Sequence, residues 1–466
     1  MRPTRLFIQS LLLLLILSAC ATPGTVSPAS PTAGLPSPTG VSDPGPDPTA
    51  TPAITPVGFD LSSLKGVSLQ VWHALAGPAN DLFASQVALF NSSNEWGITV
   101  TATGYGDYPS LFDSVGTALG TAQAPQMVVA LPDEALAWES TGNVIDLMPY
   151  IDDPALGLGK DVIADIPSVF WDQDSLDGKH LGLPAERSAR FLFYNQTWAH
   201  ELGFDNPPTN ADEFRQQACA ANASFLKDSD PKNDGYGGWI VDTGWQGTYA
   251  WMLAFGGGVT DGSAYGFRTD PNLAALQFIK GLYDSHCAWL STEPTPFDSF
   301  ARRSALFVSG DLGEVPTESE SMTRLKNGDT WTVIPYPGPR ESVVVAYGAS
   351  YTVLKSTPNQ QLAAWLFARW LLSPESQTQW VEATGLFPLR NASLAMTGNY
   401  QAAYPQWVAA DEALSHAQGA PQLASWRKVR YVLEDGLSTV FLANTPANKL
   451  PAVLAQMDAM AQDLNK

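Results

Sequence analysis

The sequence predicts an α/β protein built around a parallel β-sheet. Two observations support this class. Three short segments with the alternation or apolar character of strands lie at 67–71, 98–102 and 126–131, and two segments with helical spacing, at 82–90 and 112–119, separate them. The order strand, helix, strand, helix, strand is typical of a parallel sheet that helices cover on both faces.

Composition limits the function classes. Lys and Arg total 25 while Asp and Glu total 46, which gives a formal net charge of −21. We therefore expect no nucleic-acid partner, because few cations are available to neutralise phosphates. Apolar residues make up 45% of the chain, enough for a sizeable core, and the three Cys are too few for a disulfide-dense scaffold.

Residues 1–20 have the pattern of a secretory signal. Two arginines precede an apolar run over 11–17, which is shorter than the roughly 20 apolar residues of a spanning helix. The run ends in Leu-Ser-Ala-Cys, which resembles the bacterial lipobox and predicts lipidation of Cys20. The lipid would anchor the protein on the extracytoplasmic face of the cell membrane. An ordinary signal peptide with a coincidental Cys is the alternative.

Residues 21–58 predict a disordered tether. The segment is rich in Pro, Ser and Thr and contains no aromatic residue. Such a composition cannot bury a core. The folded body is therefore expected to begin near residue 59.

Polar and aromatic residues follow each of the three predicted strands. Trp72 and His73 follow the first strand, Tyr108 follows the second, and Asp133 and Glu134 follow the third. Ligands of parallel sheets bind outside the carboxyl ends of the strands, so these residues are candidates for binding a polar molecule. Other interpretations stay open: Trp72 in the core, His73 in a turn, and the acidic pair at the start of a helix.

The rest of the chain continues the α/β pattern. Strands are predicted at 190–194, 239–241 and 343–345, and helices at 273–283 and 362–370. Most aromatic residues of this part are expected in the core.

Catalytic and metal-binding motifs are not found in the sequence. It has no nucleophile elbow, no zinc-protease motif and no Walker loop, and its five His are scattered. We expect no cofactor and no metal. Asp228, Asp230 and Asp234 loosely resemble a calcium loop, but Lys232 stands where an oxygen ligand is needed, which favours a plain turn. A secreted glycoside-acting enzyme, which needs two carboxyls roughly 5–10 Å apart, is the alternative hypothesis of another class.

Cys219 and Cys287 are the two cysteines of the body. Outside the cytoplasm two thiols tend to pair, so the sequence predicts a disulfide between them.

Several segments, taken in order, resemble the extracellular solute-binding proteins of ABC importers, of the carbohydrate-uptake type. Each is weak by itself, and their order behind a lipobox and a tether is specific. They are Val71-Trp72-His73, Phe90-Asn91, Ala124 to Met127, Phe193-Tyr194-Asn195, Gly203-Phe204, Pro207 to Thr209, Phe300 to Phe307, Tyr347-Gly348, Ala363 to Glu375 and Gly385 to Pro388.

The resemblance implies a periplasmic-binding-protein fold of two α/β lobes joined by three crossings that form a hinge. Hinge closure around a ligand is the expected motion. The first lobe would comprise 59–186 and 300–350, and the second 187–299 and 351–466.

The crossings are expected near 184–190, 300–305 and 347–354. The protein would bind a sugar or polyol without turnover, act as a monomer and deliver its solute to membrane permeases.

The same resemblance implies a set of ligand-binding residues. Rings would stack on sugar C–H faces while carboxylates and amides take the hydroxyls. The expected residues are Trp72, Tyr108 and Glu134 from the first lobe, Ser188, Trp245, Trp251 and Arg390 from the second, Tyr347 and Gly348 at the third crossing, and Arg430 or Arg427 in addition.

The segments at 72–77 and 106–108 also resemble the glycerol-phosphate-binding branch of these proteins. There a cleft arginine would hold the phosphate, and Arg390, Arg427 and Arg430 are candidates. We place sugar ahead of phosphoester because the net charge of −21 offers no general attraction for an anion. A surface receptor or adhesin, with an exposed apolar patch and no cleft, is a further alternative.

Overall fold

The computed structural model describes residues 61–262, 264–293 and 296–466. The predicted signal, the lipidation site Cys20 and the predicted tether lie outside the described residues. Within these ranges, no helix is both long enough and apolar enough to span a membrane.

The strands are numbered in chain order. They are β1 Ser68–His73, β2 Thr99–Gly104, β3 Met127–Ala130, β4 Ser175–Leu176, β5 Lys179–His180, β6 Leu183–Pro184, β7 Ser188–Asn195, β8 Trp239–Ile240, β9 Thr260–Asp261, β10 Ala264–Tyr265, β11 Ala288–Trp289, β12 Phe307–Asp311, β13 Trp331–Ile334, β14 Tyr336–Pro337, β15 Ser342–Tyr347, β16 Ser350–Val353 and β17 Ala417–Gly419.

The α-helices are numbered in the same way. They are α1 Gly77–Ser93, α2 Tyr108–Ala118, α3 Pro132–Glu139, α4 Met148–Ile151, α5 Lys160–Ala164, α6 Ser168–Trp171, α7 Gln196–Glu201, α8 Ala211–Phe225, α9 Trp245–Ala254, α10 Asp270–Asp284, α11 Phe297–Ala301, α12 Val315–Arg324, α13 Pro358–Leu371, α14 Pro374–Thr384, α15 Gly398–Ala403, α16 Pro405–Glu412, α17 Trp426–Val440 and α18 Leu450–Leu464. Short 3-10 turns lie at Leu61–Leu64, Asp172–Asp174, Leu312–Glu314, Asn391–Met396, Ala413–His416 and Ala447–Lys449.

The first sheet has the order β2-β1-β3-β16-β6. β1, β2 and β3 are parallel, as their alternation with helices predicted, and β16 runs antiparallel to β3. Helix α13 packs against β1 and β16, and α14 packs against α1. The carboxyl ends of β1, β2 and β3 therefore meet at one edge of this sheet.

The second sheet has β7 near its centre. Its main path is β11-β8-β12-β7-β15-β14, with β13 on β7 and β17 on β15. Side chains of β7 alternate between two cores: Phe191 and Phe193 pack into one, Leu192 and Tyr194 into the other. This central strand is the aromatic strand predicted at 190–194, and it is buried on both faces because helices and loops cover both.

The chain passes between the two sheets at two of the expected places. It leaves β6 in the first sheet and enters β7 in the second through 185–187, and it leaves β15 and enters β16 through 348–349. The expected crossing at 300–305 is wrong, because β11 before it and β12 after it both belong to the second sheet. The chain instead returns to the second sheet between α14 and β17.

Strand pairing also corrects the expected assignment of segments. We placed 300–350 with the first lobe, but β12, β13 and β15 all pair with β7 in the second sheet. We placed 351–466 with the second lobe, but most of β16 lies in that range and pairs with β3 in the first sheet. Local strand and helix patterns do not encode which sheet a strand joins, so these errors have the same origin.

Arg187 joins the two crossings. The residue is fully buried. Its guanidinium donates to the Ala349 carbonyl at 2.5 Å and to Ser350 Oγ at 3.0 Å, and it forms a buried ion pair with Asp174 at 2.8 Å. The Arg187 side chain therefore connects the two crossings by hydrogen bonds, and the buried Asp174 carboxylate neutralises its charge.

Gly348 lies where the two crossings touch. Its φ of +157° is rarely adopted by other residues, and a Cβ there would lie 2.0 Å from the Glu186 carbonyl oxygen. Only glycine permits this approach of the two backbones.

A disulfide joins Cys219 and Cys287, the pair predicted from the sequence. Cys219 lies in α8 and Cys287 precedes β11, so the bond links a covering helix to the edge of the second sheet.

Candidate functional site

A cavity of about 340 Å³, here called the first cavity, lies between the two sheets. One side is formed by residues that follow strands of the first sheet, and the other by the second sheet with α9 and α17. Six residues predicted from the sequence line it: Tyr108, Asp133, Trp245, Tyr347, Gly348 and Arg430.

Tyr108 is positioned by the start of α2. The Asp107 carboxylate caps this helix by accepting the N–H of Ser110 at 2.7 Å, which places Tyr108 at its first position. The Tyr108 hydroxyl donates to Glu186 Oε1 at 2.9 Å. Burial and the neighbouring Glu186 carboxylate raise the pKa of Tyr108 well above its usual value, so the phenol stays protonated.

Asp133 and Arg430 are neighbours in the wall of the first cavity. Asp133 is 5% exposed, and its Oδ2 lies 3.8 Å from Arg430 Nη1. Burial raises the pKa of Asp133, while the Arg430 charge opposes the rise. The cavity thus contains one cation that already has an acidic partner.

Glu134 lies behind Asp133 and does not line the first cavity. Its carboxylate accepts the N–H of Leu131 at 3.1 Å and so caps α3. Burial, followed by the Asp133 charge, raises the pKa of Glu134 to about 8. Of the expected acidic pair, only Asp133 borders this cavity, and Glu134 supports the turn that holds it.

Aromatic rings form the opposite side of the first cavity. The Trp245 ring centroid lies 5.7 Å from that of Tyr347 and 5.5 Å from that of Trp426. The Trp245 backbone N–H lies 3.4 Å from Glu434 Oε1. Burial raises the pKa of Glu434. This side offers ring faces with a carboxyl group beside them.

Two candidates from the first strand end lie elsewhere. Trp72 is partly buried against Tyr105, with ring centroids 4.8 Å apart. His73 is 3% exposed and packs against Phe83, and burial lowers the pKa of its imidazole. Neither residue lines the first cavity. Trp72 therefore packs against a neighbouring ring, close to the core position left open as its alternative, whereas His73 ends strand β1 and does not lie in the turn that was its alternative.

Three further candidates are also placed outside the first cavity. Trp251 is fully buried among the rings of the second core. Ser188 is buried opposite Tyr347 in the pairing of β7 with β15. Arg390 forms an ion pair with Asp165 at 2.8 Å. Trp251 is thus held by packing and Arg390 by its ion pair.

Sequence reasoning missed several residues that line the first cavity. They are chiefly amides and residues of α17, namely Gln173, Gln246, Gln422, Trp426, Tyr431 and Glu434. One signal was available, because Trp426, Arg430 and Glu434 are spaced i, i+4, i+8 and so share one face of a helix. The amides lie in or beside short elements and carry no comparable pattern.

The chemistry of the first cavity suits a polyhydroxylated molecule. Ring faces can pack on apolar C–H surfaces, and the amides and carboxylates can bond hydroxyl groups. Within the described residues, no group of three or more His, Cys, Asp or Glu is arranged to hold a metal ion.

A family model described as bacterial extracellular solute-binding protein matches residues 85–414. A binding protein of Brucella abortus (strain 2308) is 26% identical over 307 residues, which cover 62% of this chain and 70% of the relative. The sn-glycerol-3-phosphate-binding periplasmic protein UgpB of Yersinia pestis is 21% identical over 431 residues, which cover 86% and 94% of the two chains.

The fold matches a solved structure of the same kind. The sugar-binding protein MalE of Xanthomonas citri superimposes with a TM-score of 0.74 at 19% identity, covering 85% of this chain and 97% of that one. The expected two-lobed periplasmic-binding-protein fold is therefore confirmed.

Proposed function

This chain belongs to the bacterial extracellular solute-binding proteins, and from this premise we propose that it captures a sugar or oligosaccharide in the first cavity. It would deliver the sugar to the membrane permeases of an ABC importer. The observation that carries the proposal is the pairing of a ring-lined side, formed by Trp245, Tyr347 and Trp426, with a side that presents Tyr108 and Asp133.

The charges of the first cavity favour a neutral solute. Arg430 is the cation that lines it, and Asp133 and Glu434 line it as well. Because Arg430 lies 3.8 Å from Asp133, its charge is partly offset before any ligand arrives. A polyol needs hydrogen-bond partners rather than a net charge, so a sugar fits this balance better than an anion does.

A glycerol phosphoester is the second candidate. It is favoured by the similarity to UgpB of Yersinia pestis and by the position of Arg430 in the cavity wall. A phosphate there would compete with Asp133 for the guanidinium.

Binding without turnover is part of the proposal, as are the lipid anchor at Cys20 and a monomeric state. The tether would let the anchored protein reach its permeases. The secreted glycoside-acting enzyme stays the alternative of another class, and it predicts cleaved products after incubation with an oligosaccharide.

A calorimetric and thermal-shift panel tests the proposal. Maltotriose, ribitol, glucose and sn-glycerol 3-phosphate are titrated into the full chain, and each solute is recovered afterwards and analysed. We expect at least one neutral saccharide to raise the melting temperature and to be recovered intact. Failure of every solute to bind, or recovery of cleaved saccharide, would contradict the proposal.

A further inference from the structure

A groove of about 670 Å³, here called the amide groove, lies beside the first cavity. One wall is formed by α6 and the residues that follow it, which lie in the chain between β3 and β6 of the first sheet. The other wall is formed by β17 of the second sheet and the residues after it. Because Gln173, Ala420 and Gln422 line both spaces, the boundary between them runs past these three residues.

Two glutamine side chains form part of this boundary. Gln173 Nε2 donates to the Val169 carbonyl at 2.7 Å, and Gln422 Nε2 donates to the Asp172 carbonyl. A carbonyl can only accept, so each contact uses the nitrogen of the amide. Within the described residues, neither amide oxygen accepts a hydrogen bond, and neither is sealed in the interior. Both oxygens are therefore free to accept hydrogen bonds from a solute.

The boundary can open with little change in free energy. Gln422 follows β17 and reaches across to Asp172, which follows α6. Exchange of one neutral hydrogen bond for another is nearly balanced, so a sugar hydroxyl can replace the Asp172 carbonyl as the partner of Gln422. Gly419 leaves room for the second amide, because a Cβ there would lie 3.1 Å from Gln173 Cγ.

The walls of the amide groove suit neutral hydroxylated groups. The hydroxyls of Ser168 and Ser175 and the amide of Gln418 line it beside the two boundary glutamines. Asp172 lines it as well, and among the described residues of its walls there is no cation and no aromatic ring. Sugar hydroxyls can donate to the amide and carboxylate oxygens, whereas an anion would meet the like charge of Asp172.

A second space, of about 310 Å³, adjoins the first cavity at Arg430 and Tyr431. Its walls include Arg427 and Lys428. The amide groove is the larger of the two neighbouring spaces and offers more neutral partners for hydroxyl groups. A neutral chain that extends beyond the first cavity is therefore better accommodated in the amide groove.

We propose that the amide groove is a subsite for one end of a linear, neutral oligosaccharide whose other units occupy the first cavity. The rings of Trp245 and Trp426 would hold the units inside, and the amides and hydroxyls of the groove would take the units that extend past Gln422. The first cavity, at about 340 Å³, is at the lower end of the roughly 300–1,000 Å³ of small-molecule sites, which leaves little room for a long chain. This inference rests on the proposed function and narrows its substrate class to oligosaccharides that are longer than the first cavity.

The test uses saccharides of increasing length. Three series, of α-1,4-glucan, β-1,4-glucan and β-1,4-mannan, each from the monosaccharide to the pentasaccharide, are titrated calorimetrically into the full chain. Two blocking variants, Ser168→Trp and Gln418→Trp, add a ring at an exposed position of either wall of the amide groove, and neither position lines the first cavity. The control Asp113→Trp adds the same ring at an exposed position of α2 that lines the second space.

We expect the affinity of the wild type to rise about tenfold at one step of chain length in at least one series, when a unit first enters the amide groove. Both blocking variants should lose this step while they bind the shorter members within about twofold of wild type. The control should keep the step. Circular dichroism of each variant checks that it is folded.

Three results would overturn the inference and leave the proposed function intact. The first is an affinity that does not rise with chain length in any series. The second is a step that either blocking variant retains, since the added units would then lie elsewhere. The third is an equal loss for short and long members in the blocking variants, since the groove would then not act on the added units alone. Failure of every member to bind the wild type would reject the proposed function as well.

Discussion

The two sides of the first cavity are built differently. On the side of the first sheet, Tyr108 and Asp133 stand on the first turns of α2 and α3, which Asp107 and Glu134 cap, and the Tyr108 hydroxyl donates to Glu186. On the other side, Trp245 and Trp426 belong to the second hydrophobic core, and their rings are fixed by packing. One side offers directional polar groups, and the other offers flat surfaces.

This difference implies a division of work. A ring buried in a core contributes both to folding and to binding, so its loss should affect both. A polar group on a helix start makes few core contacts, so its loss should affect binding alone. The predictions below test that division, from the largest expected effect to the smallest.

Replacement of the central ring, Trp245→Ala, should have the largest effect. Loss of the buried ring should lower the free energy of unfolding by about 3 kcal/mol and weaken sugar binding by about 100-fold. Chemical denaturation and calorimetry measure the two effects. The control Trp72→Ala removes a ring outside the cavity and should cost stability but not affinity; similar affinity losses in both would refute the division.

The substitution Glu134→Gln should flatten the pH dependence of stability. The folded pKa is about 8 and the usual value is 4.5, so the folded state binds more protons between these values. The stabilisation is complete below the lower value and is lost as the pH rises through about 8, at on the order of 1 kcal/mol per pH unit.

Melting temperatures at pH 5, 7 and 9 measure this change. The partly buried Glu213, whose pKa is lowered by hydrogen bonds from Thr209, provides the control. Glu213→Gln should leave the slope between pH 5 and 9 as in the wild type. An unchanged slope in Glu134→Gln would show that Glu134 does not carry the proton.

Removal of the Asp133 charge, Asp133→Asn, should weaken sugar binding about tenfold, because a charged acceptor forms stronger hydrogen bonds than an amide. Stability should change little. Calorimetry with the best saccharide of the panel measures the effect, and Asp161→Asn, at an exposed position of α5, is the matched control. A stability loss as large as that of Trp245→Ala would contradict the comparison.

The smallest effect is expected from Tyr108→Phe. The variant keeps the ring and removes the hydroxyl that donates to Glu186. We expect binding to weaken by about 1 kcal/mol, the usual contribution of one hydrogen bond, and stability to change little. Tyr404→Phe, at a tyrosine outside the first cavity, serves as control. Losses of affinity and stability as large as those of Trp245→Ala would mean that the polar side contributes to the core as much as the aromatic side does.

Much of the first sheet could be predicted because local sequence patterns determine its strands and helices. Apolar alternation and helical spacing located β1 to β3 and α1 to α2, and the rule that ligands bind at carboxyl ends of strands indicated Tyr108 and Asp133, which line the first cavity. The prediction of a crossing at 300–305 was wrong because the sheet that a strand joins depends on contacts with residues distant in sequence. Nothing near β12 indicates that it pairs with β7.

The aromatic side shows the same limit within one helix. Trp245 and Trp251 are six residues apart in α9, so they point about 120° apart around the helix, and only one of them faces the cavity. The helix period could have separated the two rings, but it could not have predicted which of them faces the cavity. That choice depends on α17, whose Trp426 packs on Trp245 although it lies 181 positions further along the chain.

The contact at Gly348 has a consequence for movement. Since the backbones at 185–187 and 348–349 touch and Arg187 bonds across them, neither connection can twist without carrying the other. We therefore expect the two sheets to rotate about a single hinge axis that passes through this contact. A side chain at position 348 would push the two connections apart at the hinge axis. It would change the angle between the two sheets in the free protein, although no existing side chain of the cavity wall is removed.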